Sequence, residues 1–168
     1  MRIKLSEIYL GFKNKIFKIS SNHLPDRGTL YKNNLITAKL SVTKEKNYFH
    51  LKGGLKANVK YICVRCLKNI PCKIDQPINV LMLPDTERYN LDTNMDIIKI
   101  NEINDSIDLK HLIADLIALS EPLKPLCDES CIGLCSICGI EKTTHCSCDT
   151  QKDTSAWEKL KEMQIQTS

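Results

Sequence analysis

Along the first half of the chain, apolar and polar residues alternate over short stretches, and many of the apolar ones are β-branched or aromatic. A period of two marks strands with one buried face. It predicts strands in RIKLSEIYL (2–10), KIFKIS (15–20), LITAKLSV (35–42), NYFHLKGGLKANVKYIC (47–63) and KIDQPINVLML (73–83). Thr43-Lys44-Glu45-Lys46 reads as a hairpin turn, and Gly53-Gly54 as a bulge or bend inside a long strand. The polar, acidic stretch DTERYNLDTNMD (85–96) reads as a loop, with a short strand, IIKIN, after it.

The period then changes. In SIDLKHLIADLIALSEP, the residues Leu109, Leu112, Ile113, Leu116 and Ile117 form one apolar stripe of a helix. Asp105 or Ser106 is placed to cap its start, and Pro122 forbids its continuation. A second, short helix is predicted in SAWEKLKEMQ, with Trp157 as its anchor. The expected class is α+β: an antiparallel, β-rich N-terminal half packed by one amphipathic helix, then a Cys-rich segment and a short terminal helix. Residues 1–126 are expected to form the β-rich domain, and residues 127–168 a Cys-rich module and helix packed on it.

Charge divides the chain. Residues 1–75 hold 16 Lys and Arg against 4 Asp and Glu, while residues 76–168 hold 8 against 16. A basic half of this kind attracts a phosphate backbone, although solvated strand faces are also rich in lysine. The candidate contacts are Lys13, Lys15, Lys18, Lys39, Lys44, Lys46, Lys52, Lys56, Lys60 and Arg65. No run of about twenty apolar residues predicts a membrane span. MRIKLSEIYLGFKNKIF has no apolar signal core, so the protein is expected to work where it is made.

Eight of the nine cysteines fall into four close pairs: Cys63/Cys66, Cys127/Cys131, Cys135/Cys138 and Cys146/Cys148. Such spacings let two thiolates reach one tetrahedral ion from a single turn of chain, as structural Zn²⁺ sites do. An odd count and the absence of a targeting segment disfavour a disulfide framework. Two Cys₄ zinc sites are expected. The grouping favoured on reach is Cys63, Cys66, Cys127 and Cys131 in one, and Cys135, Cys138, Cys146 and Cys148 in the other. Four pairs can be joined in three ways, however, and an iron–sulfur cluster would use the same thiolates. Cys63-Val-Arg-Cys66 could also serve as a redox pair activated by Arg65, but strands flank it where a thiol oxidoreductase needs a βαβ setting. His145 beside Cys146 reads as an exposed loop residue, His111 as a solvated helix residue and Cys72 as a strand residue. No nucleophile elbow, P-loop, HExxH or paired-carboxylate pattern is present, so no enzyme is expected.

The order of these features resembles the YceD-like family. Its marks here are Cys63-x-x-Cys66-Leu67, Ile107-Asp108-Leu109 opening a helix, Pro122-Leu-Lys-Pro-Leu-Cys127, and Cys131-x-Gly133-Leu-Cys135-x-x-Cys138-Gly139. The chain departs from the pattern at Ile140-Glu141-Lys142, where many relatives have Asn-Leu-Asn, and at Ser155-Ala156, near which many have Asp-Pro-Arg. The resemblance implies a non-enzymatic factor for accumulation of 23S ribosomal RNA and biogenesis of the large subunit, in a bacterial cytoplasm or plastid stroma. Its partners would be ribosomal RNA or large-subunit ribosomal or assembly proteins. The resemblance also implies the first-site grouping, since some relatives keep only the first cysteine pair and a metal-capable pair after the helix. The rival readings are a zinc-ribbon adaptor that binds only protein, and a thiol redox protein.

Overall fold

Two long strands dominate the computed structural model, which describes residues 1–45, 47–84, 95–101, 103–142 and 146–148. They are β5 (Phe49–Ile62) and β6 (Asn69–Pro84), paired antiparallel from Phe49↔Met82 to Ile62↔Asn69. β4 (Leu35–Lys44) lies on the other side of β5, and β2 (Phe12–Ser20) lies beyond β4. The two-residue β3 (Leu30–Tyr31) extends the sheet where β4 no longer covers β5, pairing Leu30 with Lys60. β7 (Asp96–Ile100) closes the order β2-β4-β5-β6-β7. A separate two-stranded ribbon joins β1 (Arg2–Lys4) to β8 (Ser106–Asp108). The expected class, strand-rich and mainly antiparallel with clustered cysteines toward the C-terminus, is the one observed.

Alternation does the sorting. On β4, Ile36, Ala38, Leu40 and Val42 are buried, and on β5 the odd positions Phe49, Leu51, Leu55, Ala57, Val59 and Tyr61 are buried with them. Helix α2 (Lys110–Leu119) adds Ile113 and Ile117, with Leu109 before it, to the same core, and Leu112 and Leu116 pack at its margin. His111 is exposed, as its place off the stripe predicts. Pro71 and Pro77 sit in a stretch of β6 that β7 does not cover, since β7 begins pairing only at Val80. A missing N–H is tolerated on such an open edge.

Five details differ from the pattern-based expectation, the first being the hairpin turn, which begins only after Lys44 because Thr43 and Lys44 continue β4 opposite His50 and Phe49. RIKLSEIYL is not one strand: after Lys4 the chain turns into helix α1 (Leu5–Leu10), which buries Ile8 and ends on Gly11 in the left-handed region. Ser6-Glu7 interrupts the alternation, and Ile8 then falls on the core by helical spacing. Neither Asp105 nor Ser106 caps α2, because residues 106–108 are used as strand β8; the Asp108 carboxylate instead accepts the Lys110 N–H at 3.1 Å. β7 runs parallel to β6, a pairing that a connection of about a dozen residues permits. Gly53-Gly54 makes no bulge: the register runs unbroken on both sides, and the irregularity lies in β2 between Phe12 and Lys15. The expected terminal helix with Trp157, Lys46, His145 and most of the acidic loop lie outside the described residues.

Gly53 has a steric reason. A Cβ there would stand 2.1 Å from the Lys39 carbonyl oxygen, whereas a Cβ on Gly54 meets nothing closer than 3.9 Å. Gly53→Ala is therefore expected to destabilise the protein by about 2–3 kcal/mol in a urea melt, as overpacking does, while Gly54→Ala stays within about 0.5 kcal/mol. Equal losses for the two would refute the close-approach explanation.

Candidate metal centres and the basic sheet face

The hairpin joining β5 to β6 ends in Cys63-Val-Arg-Cys66. Its backbone closes on itself: the Leu67 N–H donates to the Cys63 carbonyl, and the Cys63 N–H to the Lys68 carbonyl, both at 2.9 Å. The same loop recurs at Cys135-Ser-Ile-Cys138, where the Gly139 N–H donates to Cys135 at 2.9 Å and the Cys135 N–H to Ile140 at 2.7 Å. Both loops need a left-handed residue after the second cysteine. Gly139 supplies it at φ 69°, and Leu67 adopts it at φ 61°.

After α2 the chain returns to this hairpin, with the Val64 N–H donating to the Pro125 carbonyl at 3.0 Å. Cys127 and Cys131 are thereby delivered to Cys63 and Cys66, and the four sulfurs lie within 4.8 Å of one another. Cys135, Cys138, Cys146 and Cys148 form a second such group. These are the two groupings favoured on reach. Sulfur separations are 3.9 Å for Cys63–Cys131, 3.5 Å for Cys66–Cys127 and 3.7 Å for Cys138–Cys146. Four sulfurs about 2.3 Å from a tetrahedral ion stand about 3.8 Å apart. Both donor sets thus have the size and chemistry of a Cys₄ site for one metal ion.

Electrostatics agree with that geometry. Backbone N–H donation, chiefly from Cys66, lowers the Cys63 thiol to about 6, and Cys138 with Ile137 does the same for Cys135. Other members of each group are pushed the opposite way. Hydrogen bonding with Cys66 and Cys131 pushes Cys127 up to about 12, and hydrogen bonding with Cys138 together with burial does so for Cys148. Four thiolates share such a space only when a cation neutralises them.

Arg65 does not face outward with the lysines. Its guanidinium donates to the carbonyls of Cys131 at 2.6 Å and Glu129 at 3.1 Å, and its own carbonyl accepts the Leu134 N–H at 3.1 Å. Gly133 passes so close that a Cβ would stand 2.9 Å from the Arg65 oxygen. Lys68, two residues after Cys66, grips both oxygens of Glu141 at 2.7 and 2.6 Å. Arg65, Gly133, Lys68 and Glu141 thus hold the second loop against the first. Lys68 lies two residues after Cys66 and Glu141 three after Cys138, and no spacing rule in the sequence announces their pairing.

The basic candidates separate by strand parity. Lys18, Lys39, Lys52, Lys56 and Lys60 project from the outer face of β2, β4 and β5, opposite the core. Lys73, which the sequence reading omitted, joins them from β6, where it pairs with Asn58. Lys56 is ion-paired with Asp75 at 3.2 Å, both largely exposed. Lys15 lies on the other side, bonded to Glu7 at 2.8 Å and over the Phe12 and Phe17 rings. Lys44 has the parity of buried Val42, and Lys13 lies at the β2 irregularity.

A β-rich protein whose hairpin tip meets the C-terminal segment through one group of four thiols, with a second group of four inside that segment, is the class this arrangement defines. The chain belongs to the YceD family, described as large ribosomal RNA subunit accumulation protein, whose model matches residues 51–164 and so includes all eight paired cysteines. Among curated proteins it is similar to uncharacterized proteins of Mycobacterium tuberculosis and Mycobacterium bovis. Each is 26% identical over 102 residues, covering 60% of this chain and 48% of the relative. The chain therefore spans about half the length of the curated relatives it matches. No solved structure matches it. Among the described residues, no helix is long and apolar enough to cross a membrane.

Two measurements follow. Native mass spectrometry is expected to find two bound divalent ions, one lost in Cys63→Ser/Cys66→Ser and the other in Cys135→Ser/Cys138→Ser; a variant retaining both would break the grouping. Leu67→Gly is expected to stabilise the protein by about 0.5–1 kcal/mol in a denaturant melt, since a left-handed leucine costs about 1–2 kcal/mol and this side chain is 63% exposed.

Proposed function

We propose that this protein is a non-enzymatic factor that supports accumulation of 23S ribosomal RNA and assembly of the large ribosomal subunit, by binding RNA through the outer face of its sheet. One observation carries the reading. Lys18, Lys39, Lys52, Lys56, Lys60 and Lys73 converge on a single face with Asp75 as the acid among them, in a chain of the YceD family. A field of ammonium groups on long arms suits phosphates. The work is expected in a bacterial cytoplasm or plastid stroma.

In this reading the two centres hold structural Zn²⁺. The sulfur spacings suit one ion per site, whereas an iron–sulfur cluster spreads its four thiolates over several irons. Closed four-thiolate sites leave no open position on the metal and no free Cys-x-x-Cys pair for redox exchange. The Cys-rich segment that begins at Cys127 acts as a module that fixes the hairpin tip. A ribosomal or assembly protein is the second candidate partner, favoured by the exposed Val64, Leu67, Ile137 and Ile140 on the two loops. Those residues lie on the cysteine loops, away from the outer sheet face.

Crosslinking from cells with RNA and protein readouts tests the role; recovery without large-subunit RNA or its assembly proteins would remove it. In vitro, affinity for RNA is expected to fall steeply with salt, with a logarithmic slope of about −4 for five or so phosphate contacts. Lys39→Gln/Lys52→Gln should flatten that slope by about 2 with little change in melting temperature. A slope near zero would favour the protein-binding adaptor.

A further inference from the structure

The outer face of the sheet has a hollow near its centre, and we infer that this hollow seats the sugar–phosphate backbone of an RNA duplex. The inference rests on the proposed RNA-binding role and specifies the form of RNA. The hollow measures about 390 Å³ and is lined by Asn14, Ile16, Thr37, Lys39, Ser41, Gly53, Gly54 and Lys56.

Its floor is the bare backbone of Gly53-Gly54. Gly53 is accounted for by the nearby Lys39 carbonyl, but packing does not require Gly54. A Cβ there would meet only the Gln76 oxygen at 3.9 Å and the Asp75 carboxylate at 4.0 Å, and its φ is not in the left-handed region. Glycine inside a strand weakens it, and it recurs where a ligand must come close to the backbone. What Gly54 provides is room on the solvent side.

The rim has the chemistry of that ligand. Lys39 stands directly opposite Gly54 on the neighbouring strand, and Lys52 and Lys56 lie two residues to either side of Gly54 along β5. Lys52 and Lys56 are about 13 Å apart along the strand, so the three lysine positions flank Gly54 along and across the strands. The Lys56–Asp75 pair is screened by water and open to competition from phosphate. Thr37 and Ser41 place hydroxyls between the cations. The Ser41 oxygen accepts the Asn14 N–H at 2.9 Å, which leaves its own O–H to donate.

The same face lacks what single strands need. Unpaired bases are held by stacking on aromatic rings, and the described outer residues of β2, β4, β5 and β6 include no Phe, Tyr or Trp. The nearest substitute, the His50 ring, is engaged by Asn79 at 2.6 Å. Double-stranded RNA asks for something else: its wide, shallow minor groove displays phosphates and 2′-hydroxyls and is read by shape. Lysines and two hydroxyl-bearing residues around an open floor of glycine backbone match that surface.

The test uses the metal-loaded full chain and three fluorescent probes of one sequence: an RNA duplex of about 16 base pairs, its single strand, and the DNA duplex. The RNA duplex is expected to bind at least about tenfold tighter than either other probe, a difference of about 1.4 kcal/mol. Gly54→Val fills the hollow while improving strand propensity. It should raise the denaturation midpoint yet weaken duplex binding about tenfold, a combination no purely structural role for Gly54 produces. Equal binding of single strand or DNA, or undiminished duplex binding by the folded Gly54→Val protein, overturns the inference while leaving the broader role standing. Absence of salt-sensitive binding to any of the three probes overturns both.

Discussion

The meeting of the Cys63 and Cys66 sulfurs with those of Cys127 and Cys131 is the contact on which the arrangement of this molecule turns. It joins the tip of the longest hairpin to the chain emerging from α2. Structural zinc contributes about 10–16 kcal/mol of apparent binding energy in small peptides, as much as the whole stability of an ordinary domain, about 5–15 kcal/mol. Residues 127–142 bury little apolar surface: only Cys135 of them belongs to the buried core, and Ile132, Ile137 and Ile140 are exposed. Their position comes instead from sulfur, from the Arg65 and Lys68 contacts, and from the close passage of Gly133.

Most of the sheet was legible because its residues obey one rule. Odd positions of β5 other than Gly53 are buried, and lysines occupy even ones, so alternation exposes strand and facing together. The α2 stripe was legible for the same kind of reason, and the cysteine pairs because two thiolates on one turn have few other uses. What stayed hidden depends on tertiary neighbours. Asp108 looks like a residue beside a helix start, yet pairing with Arg2 makes it part of a strand. Arg65 looks like another surface cation until the returning chain lays carbonyls over it. Gly53 resembles a bulge because sequence does not reveal the Lys39 oxygen behind it.

The fold also separates two kinds of charge. Eight thiolates around two Zn²⁺ would carry a net −4, equal and opposite to the chain's formal +4. That negative charge is held at the hairpin tip and the C-terminal segment. The outer face of the sheet keeps its lysines, so near-neutrality overall coexists with a strongly positive face. Averaged charge therefore understates what an approaching polyanion meets.

The two thiol clusters differ in how far the polypeptide must loop to complete them. Cys138 and Cys146 are 8 residues apart, whereas Cys63 and Cys131 are 68 apart and Cys66 and Cys127 are 61 apart. Closing the longer loops carries about 2 kcal/mol more entropic cost, and it must wait until the sheet and α2 have brought distant segments together. The C-terminal cluster can thus form as a local event, whereas the hairpin cluster forms only after distant segments have met. Assembly of the hairpin cluster then reports that the sheet and α2 have already found their places.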